Sequence, residues 1–300
     1  MRHGEYPTVH CPPTTVHSSL YPLNLAAIYK PGVPESRLAP FREGVEANWS
    51  SELNPSTDAA LILGGDGTVH RYLRQLHEWQ IPFLHVPIGS GNDFASSLGI
   101  KNPKAALAAW KRFVTNRDNI RYIDLGTVHF SRSTVRLFCN VCYFGIDSDV
   151  TRRANLLSPF WRANGGYILS LFPALLNYQA PPVKLTVDGQ KMNKKVFLAV
   201  AANGTRYGRG LKIAPKATMD DGFLDLCLVR DLPRLKVATL FPSAYFGQHL
   251  RVKEVEYHRF RTLRVESETP LDVYGDGEPV CQTPVDISLI PNGLRVIGAT

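Results

Sequence analysis

Hydrophobic and polar positions follow two rhythms along this chain, and the change falls near residue 121. Before it, short apolar runs are followed by glycine and then by residues at helical spacing. Residues 58–63 (DAALIL) predict a strand buried on both faces. Gly64-Gly65-Asp66-Gly67-Thr68 comes next, then Val69, Tyr72, Leu73, Leu76 and Trp79 at helical intervals. Residues 83–88 predict a second strand and Gly89-Ser90-Gly91 a second glycine turn, with Asn92 or Asp93 placed to cap the following helix. Residues 24–29 (NLAAIY) predict the first strand, ending in Lys30-Pro31-Gly32. One helix is expected over 38–50 and another over 103–116, where Ala105, Ala106, Leu107, Ala109, Trp110 and Phe113 are apolar.

After residue 121 the runs are strand-like, over 126–131, 134–144, 183–187, 195–202, 222–229, 261–266 and 285–290. Their spacing and turns predict an antiparallel sandwich. A helical insert is expected over 165–177 and another helix over 232–247. Three hundred residues with 44% apolar content accommodate two such cores.

Charge and cysteine content narrow the class. The net charge of +8 suits an anionic nucleotide, membrane surface or nucleic acid. No block of five or more basic residues occurs, which argues against nucleic acid. Cys11, Cys139, Cys142, Cys227 and Cys281 are odd in number in a large chain, so no disulfide framework is expected. Cys139 and Cys142 lie in FCNVCYFG, where residues three apart on a strand face opposite ways and cannot share a zinc ion. The most apolar stretch, 166–176, is too short to span a bilayer and contains Pro173. With no leader visible, a cytoplasmic protein is expected, peripheral at an anionic membrane; a homodimer is left open.

Two glycine turns at the ends of successive parallel strands form one crevice. Glycines let the backbone approach a phosphate, and helix N-termini attract it. Asp66 and Asp93 would repel phosphate, which implies a divalent cation between them. The alternative is a pair of ordinary tight turns. Neither GxxxxGK[ST] nor GxGxxG is present.

These residues, with Pro87-Ile88-Gly89-Ser90-Gly91-Asn92-Asp93-Phe94-Ala95, resemble the catalytic domain shared by diacylglycerol kinases, sphingosine kinases and bacterial lipid kinases. More distantly they resemble NAD kinases and phosphofructokinases. The similarity extends over residues 58–300, through Ala202-Asn203-Gly204, Gly208-Arg209-Gly210, Asp220-Asp221-Gly222 and Asp276-Gly277-Glu278. It departs at Tyr29-Lys30-Pro31-Gly32 and in the short segment before Gly64, where the family has more structure around adenine and ribose.

The resemblance implies an α/β nucleotide-binding domain over 1–122, NAD kinase/phosphofructokinase-like, joined by a returning segment at 292–300. A β-sandwich for the lipid occupies 123–291. It implies ATP and Mg2+ at Gly64, Gly65, Asp66, Gly67 and Thr68, with Ser90, Gly91 and Asn92 nearby. Asp66 and Asp93 would orient magnesium or the acceptor, and Glu278, with Asp276, would take the proton of a diacylglycerol-like hydroxyl. It also implies a structural Mg2+ or Ca2+ at Thr218, Asp221 and Phe223, where a plain turn is the alternative. Asp276-Gly277 reads equally as a hairpin turn. A kinase of NAD or another soluble alcohol, and a non-catalytic nucleotide- or lipid-binding protein, are the competing functions.

Overall fold

The computed structural model describes residues 22–131, 134–156, 170, 173–175 and 178–299. The first domain is built on parallel strands β1 (Leu23–Tyr29), β2 (Ala47–Ser50), β3 (Ala59–Gly64) and β4 (Phe83–Pro87), in the spatial order β2-β1-β3-β4. β3 and β4 are buried at every position, as strands covered on both faces must be. Helices α1 (Glu35–Arg42), α2 (Asp66–Glu78), α3 (Asp93–Ser97) and α4 (Pro103–Asn116) pack against this sheet. The sequence of α4 explains its bounds. Asn102 caps it by accepting from the Ala105 N–H at 2.9 Å, Pro103 opens it, and Arg117 ends it in the left-handed region.

The single helix expected over 38–50 is not formed. α1 stops at Arg42, Gly44 takes φ +70°, and the chain re-emerges as the edge strand β2, with Leu23 opposite Ala47. Weak helical periodicity across a glycine concealed a strand.

The second domain begins with β5 (Ile120–His129), β6 (Val135–Phe138), β7 (Val141–Gly145) and α5 (Ile146–Asn155). β8 (Pro182–Val187), β9 (Gln190–Ala202), β10 (Leu224–Arg230), α6 (Arg234–Tyr245), a 3-10 turn (Gln248–Arg251) and β11 (Val255–Phe260) follow. The chain closes with β12 (Thr262–Ser267), β13 (Asp272–Gly275), β14 (Glu278–Gln282) and β15 (Val285–Ile297). β5, β6, β8, β12, β15 and the first half of β9 form one sheet; β7, β10, β11, β13, β14 and the second half of β9 form the other. Strict alternation divides their side chains. Cys142, Phe144, Ala199, Ala201, Leu226 and Leu228 fill the sandwich interior. Val141, Tyr143, Val200, Ala202, Cys227 and Val229 face a third layer that includes α5 and α6.

The stretch expected as one strand over 134–144 is broken at Cys139–Asn140, and strands β11, β13 and β14 and helix α5 add to the expected set. Cys139 and Cys142 point into different cores and neither is paired. The insert expected over 165–177 lies outside the described residues apart from 170 and 173–175, as do residues 1–21 with Cys11. β15 joins the domains: Val285–Ser288 pair with β12, and Val296 lies opposite Phe83 of β4 in parallel register.

Candidate active site

Because β3 and β4 are parallel neighbours, their C-terminal turns stand side by side. Gly64 O accepts from the N–H groups of Ile88 and Gly89, both at 3.2 Å, and Gly91 O accepts from the Asp66 N–H at 3.2 Å. The glycines divide into two sets. A Cβ on Gly89 would lie 2.5 Å from Gly65 Cα, one on Gly65 would lie 2.8 Å from Gly91 O, and one on Gly64 would collide with the Thr68 side chain. Gly65 and Gly89 are required by the contact between turns, and Gly64 by the Thr68 side chain of its own turn. Gly67 and Gly91 are not: a Cβ there would meet only Glu278 Oε1 at 3.8 Å and Asp66 Oδ2 at 3.9 Å. They leave bare backbone at the two turns, beside the N-terminus of α2, where the Asp66 and Thr68 N–H groups already donate to Gly91 O and Gly65 O. Thr68 Oγ1 is buried nearby with no protein partner. Ser90 is exposed at the tip of its turn.

Asn92 does not cap α3 with its side chain. It turns back to Gly89, accepting from its N–H at 3.1 Å and donating to its carbonyl at 2.8 Å. Asp66 supplies the cap from the adjacent turn, accepting from the N–H groups of Asp93 at 2.9 Å and Phe94 at 3.2 Å. Burial and the charge of Asp93 nevertheless push the Asp66 carboxyl up to about 7. Burial also raises Asp93, against the opposing N–H groups of Arg209 and Gly210. The Arg209 N–H donates to Asp93 Oδ2 at 2.8 Å, bringing the Gly208-Arg209-Gly210 loop of the second domain onto the first.

Asp276 and Gly277 form the two-residue turn between β13 and β14, with φ +51° and +90°, so the hairpin reading is met at the same residues as the site. The Asp276 carboxylate is buried in a ring of donors. Oδ2 accepts from Cys139 N–H at 2.8 Å and from its thiol at 3.4 Å; Oδ1 accepts from Asn140 N–H at 2.9 Å and Val141 N–H at 3.0 Å. His70 on α2 completes the ring, its Nδ1 3.2 Å from Oδ2. Burial works to raise this carboxyl, but His70 and the backbone donors outweigh it and hold it below the ordinary range. Such a group is an anchor and a weak proton acceptor. Glu278, by contrast, is exposed and reaches the first turn beside Gly67.

Asp66, Asp93 and Asp276 line a cavity of about 260 Å³ with Asp147, Tyr143, Tyr207 and Phe241 from the second domain. Asp147, Tyr207 and Phe241 also line a second cavity of about 70 Å³, walled by Val150, Phe197, Leu211, Val229 and Leu240. The site is thus a cleft that gathers carboxylates among aromatic side chains and shares lining residues with an apolar chamber. His70 and Asp147 carry no motif that marks them in the sequence; Asn140 and Tyr207 lie in FCNVCYFG and Tyr207-Gly208-Arg209-Gly210, stretches that share the family resemblance without marking a role for them.

Among the described residues no group of three or more His, Cys, Asp or Glu is gathered to cage a metal ion. The cleft fits magnesium in the manner of phosphoryl-transfer sites, where one or two carboxylates share the ion with phosphate oxygens. The desolvated Asp66 carboxyl beside Asp93 is the donor such an ion would relieve. The loop holding Thr218, Asp221 and Phe223 is arranged differently. Asp221 Oδ2 accepts from Arg259 at 2.6 Å, Oδ1 accepts from the Phe223 N–H at 3.1 Å, and the Phe223 ring carries the Arg259 and Arg261 guanidinium groups at 4.3 and 4.6 Å. A guanidinium stands where a cation is implied, and the residues as placed do not fit an added ion.

An α/β half with paired glycine–aspartate turns, closed by a sandwich that delivers acids to the same cleft, defines a fold shared by diacylglycerol kinases and NAD kinases. The structure of a diacylglycerol kinase from Bacillus anthracis str. Sterne superposes with a TM-score of 0.70 at 21% identity, covering 93% of this chain and 98% of that one. An NAD kinase from Archaeoglobus fulgidus, solved in complex with ATP, gives 0.54 at 14% identity over 93% and 94%. By sequence, residues 38–128 match the diacylglycerol kinase catalytic domain and residues 140–298 match the YegS C-terminal NAD kinase beta sandwich-like domain. A diacylglycerol kinase of Mycobacterium tuberculosis (strain ATCC 25618 / H37Rv) is 34% identical over 249 residues, 80% of this chain and 77% of that protein. The chain belongs to the diacylglycerol kinase catalytic-domain family.

Proposed function

We propose that this protein is an ATP-dependent lipid kinase that phosphorylates the hydroxyl of a diacylglycerol-like acceptor. The observation that carries this reading is the apolar chamber that shares Asp147, Tyr207 and Phe241 as lining residues with the carboxylate cleft. A soluble alcohol has no use for such a wall, whereas an acyl chain placed there brings a glycerol hydroxyl toward the acids. The names of the relatives support the same acceptor class.

Bound Mg-ATP supplies the phosphoryl group and much of the charge neutralisation such a transfer needs. The chain's own contribution is positioning. The bare backbone at Gly67 and Gly91 and the α2 N-terminus hold phosphate oxygens, with Thr68 behind them. Asp66 and Asp93 face the same point. Glu278, exposed beside Gly67 on the sandwich side, accepts the acceptor's proton. Asp276 holds the β6–β7 corner and the hairpin that carries Glu278.

The test is transfer of label from γ-labelled ATP to a panel holding diacylglycerol, monoacylglycerol, sphingosine and NAD. Label in the diacylglycerol product supports the proposal. Transfer to NAD alone, or none to any lipid, overturns it.

A further inference from the structure

Helix α6 is apolar on both sides, and only one side is used by the fold. Val237, Leu240, Phe241 and Ala244 point inward and wall the apolar chamber. Leu235, Pro242 and Phe246 are 7 and 11 residues apart, near whole turns of a helix, so they line the opposite face. Leu235 is 83% exposed and Phe246, the residue ending the helix, 73%. Exposed apolar residues on the face opposite a buried one, here with Thr239 between them in the sequence, mark a surface for protein or lipid. Twelve residues make about 18 Å, far short of the roughly 30 Å hydrocarbon core, so this helix cannot span.

Cations lie at its start and beyond the 3-10 turn that follows it, bounded by Asp231 and Glu254. From Leu232 to Lys253 the chain bears Arg234, Lys236, Arg251 and Lys253 and no acid. Arg234, Arg251 and Lys253 are exposed, while Lys236 reaches Glu254 at 2.7 Å. Apolar side chains on one face with cations at both ends are the pattern of a helix lying in the plane of an anionic bilayer.

We propose that α6 is the membrane-docking element: its outer face inserts Leu235 and Phe246 among anionic lipids while its inner face forms the wall of the acceptor chamber. This rests on the acceptor being a lipid, which must leave a bilayer to be phosphorylated. One helix then touches both the membrane and the chamber, so the acyl chain moves along protein surface instead of through water. Exposing a chain to water grows more unfavourable with every CH₂, which makes a continuous apolar route decisive for long-chain acceptors.

The experiment compares wild type with the double variant Leu235→Ser/Phe246→Ser, both positions being exposed and therefore tolerant of the change. Sedimentation with vesicles of equimolar phosphatidylcholine and phosphatidylglycerol should show binding that falls at least tenfold in the variant and weakens with salt. A Phe246→Trp variant should be quenched by brominated lipid beyond the wild-type level. Dioctanoylglycerol in detergent micelles should be phosphorylated equally by wild type and double variant, while long-chain diacylglycerol in vesicles should be turned over more slowly by the variant. Equal vesicle binding, or no added quenching, overturns the proposal. So does loss of micellar activity in the variant, which would make the face structural, or a wild type that is dimeric in sedimentation velocity while the variant is monomeric, which would make it an interface between copies. Absence of micellar activity in both proteins would instead overturn the acceptor assignment, with vesicle binding still reading the docking surface.

Discussion

His70 and Asp276 meet across the domain junction, Nδ1 3.2 Å from Oδ2, although 206 positions separate them in the chain. An ionised carboxylate only accepts, so the Nδ1 hydrogen points at Asp276. Burial pulls the His70 ring down, but the hydrogen bond and charge of Asp276 outweigh it and leave His70 above 6.5; Asp276 is held below 3.8. The linkage signs follow. Stability from His70 is complete below 6.5 and is lost as pH rises through its raised value. Stability from Asp276 is lost as pH falls through its depressed one. A double-mutant cycle with His70→Ala and Asp276→Asn should give a coupling of about 0.5–3 kcal/mol at pH 6, fading by pH 9. A coupling independent of pH would mean that the contact is not ionic.

Glu278 and Asp276 should separate cleanly by mutation. Glu278→Gln is expected to lose on the order of a hundredfold to ten-thousandfold in kcat with an unchanged melting temperature, since the residue is exposed. Asp276→Asn presents an amide N–H₂ to backbone donors and should lower stability by about 3 kcal/mol or more. Kinetics and calorimetry on both variants check this. A Glu278→Gln enzyme with normal kcat would remove the assigned base.

Asp66 carries a stability cost that depends on pH. Its carboxyl moves from 3.8 to about 7 on folding, so on its account stability is greatest below pH 4 and declines as pH rises through 7. Asp66→Asn should flatten that decline and make the ligand-free protein no less stable at pH 8, while abolishing phosphoryl transfer. Denaturant melts of both proteins from pH 4 to 8 read the first part. An unchanged slope would show that Asp66 is already ionised.

The two sets of glycines predict opposite phenotypes. Gly89→Ala drives a methyl group into Gly65 backbone and should cost about 1–3 kcal/mol. Gly67→Ala meets open space within a helix and should stabilise by up to about 1 kcal/mol, yet raise KM for ATP by narrowing the bare backbone. Thermal melts and ATP titrations distinguish the two. If Gly67→Ala binds ATP normally, phosphate does not approach there.

Arg259 should make the 218–223 loop indifferent to divalent ions. Chelator and Ca2+ are expected to leave the wild-type melting temperature unchanged, whereas Arg259→Ala should lose about 1 kcal/mol and recover it when Ca2+ is added. A Ca2+-dependent rise in wild type that Asp221→Ala abolishes would restore the cation at this loop.

What the sequence made legible was local. The strand, glycine turn and helix around Gly64–Thr68 are contiguous, so periodicity and turn chemistry declare them together. α4 was readable to the residue because Asn102 and Pro103 mark its start. The sandwich was readable as a class from its alternation. Contacts that finish the site were not readable: Asp93 with Arg209 and His70 with Asp276 join residues more than a hundred positions apart. The capping of α3 was misread because Asn92 is the adjacent candidate, whereas Asp66 reaches it through space. The run 134–144 looked like one strand because its break at Cys139 is imposed by a distant carboxylate and not by a glycine or proline.

β15 gives the protein an order of assembly. The strand that flanks β4 inside the first-domain sheet follows every other sandwich strand in the chain. As the polypeptide leaves the ribosome, the half bearing both glycine turns emerges early but stays one strand short, its β4 edge unpaired until the whole sandwich has been synthesised. Non-local pairing of this kind slows folding and leaves an edge open to wrong partners in the interval. A nascent chain stalled before β15 should therefore be sensitive to protease in its first domain, and full nucleotide competence arrives only with the final residues of β15.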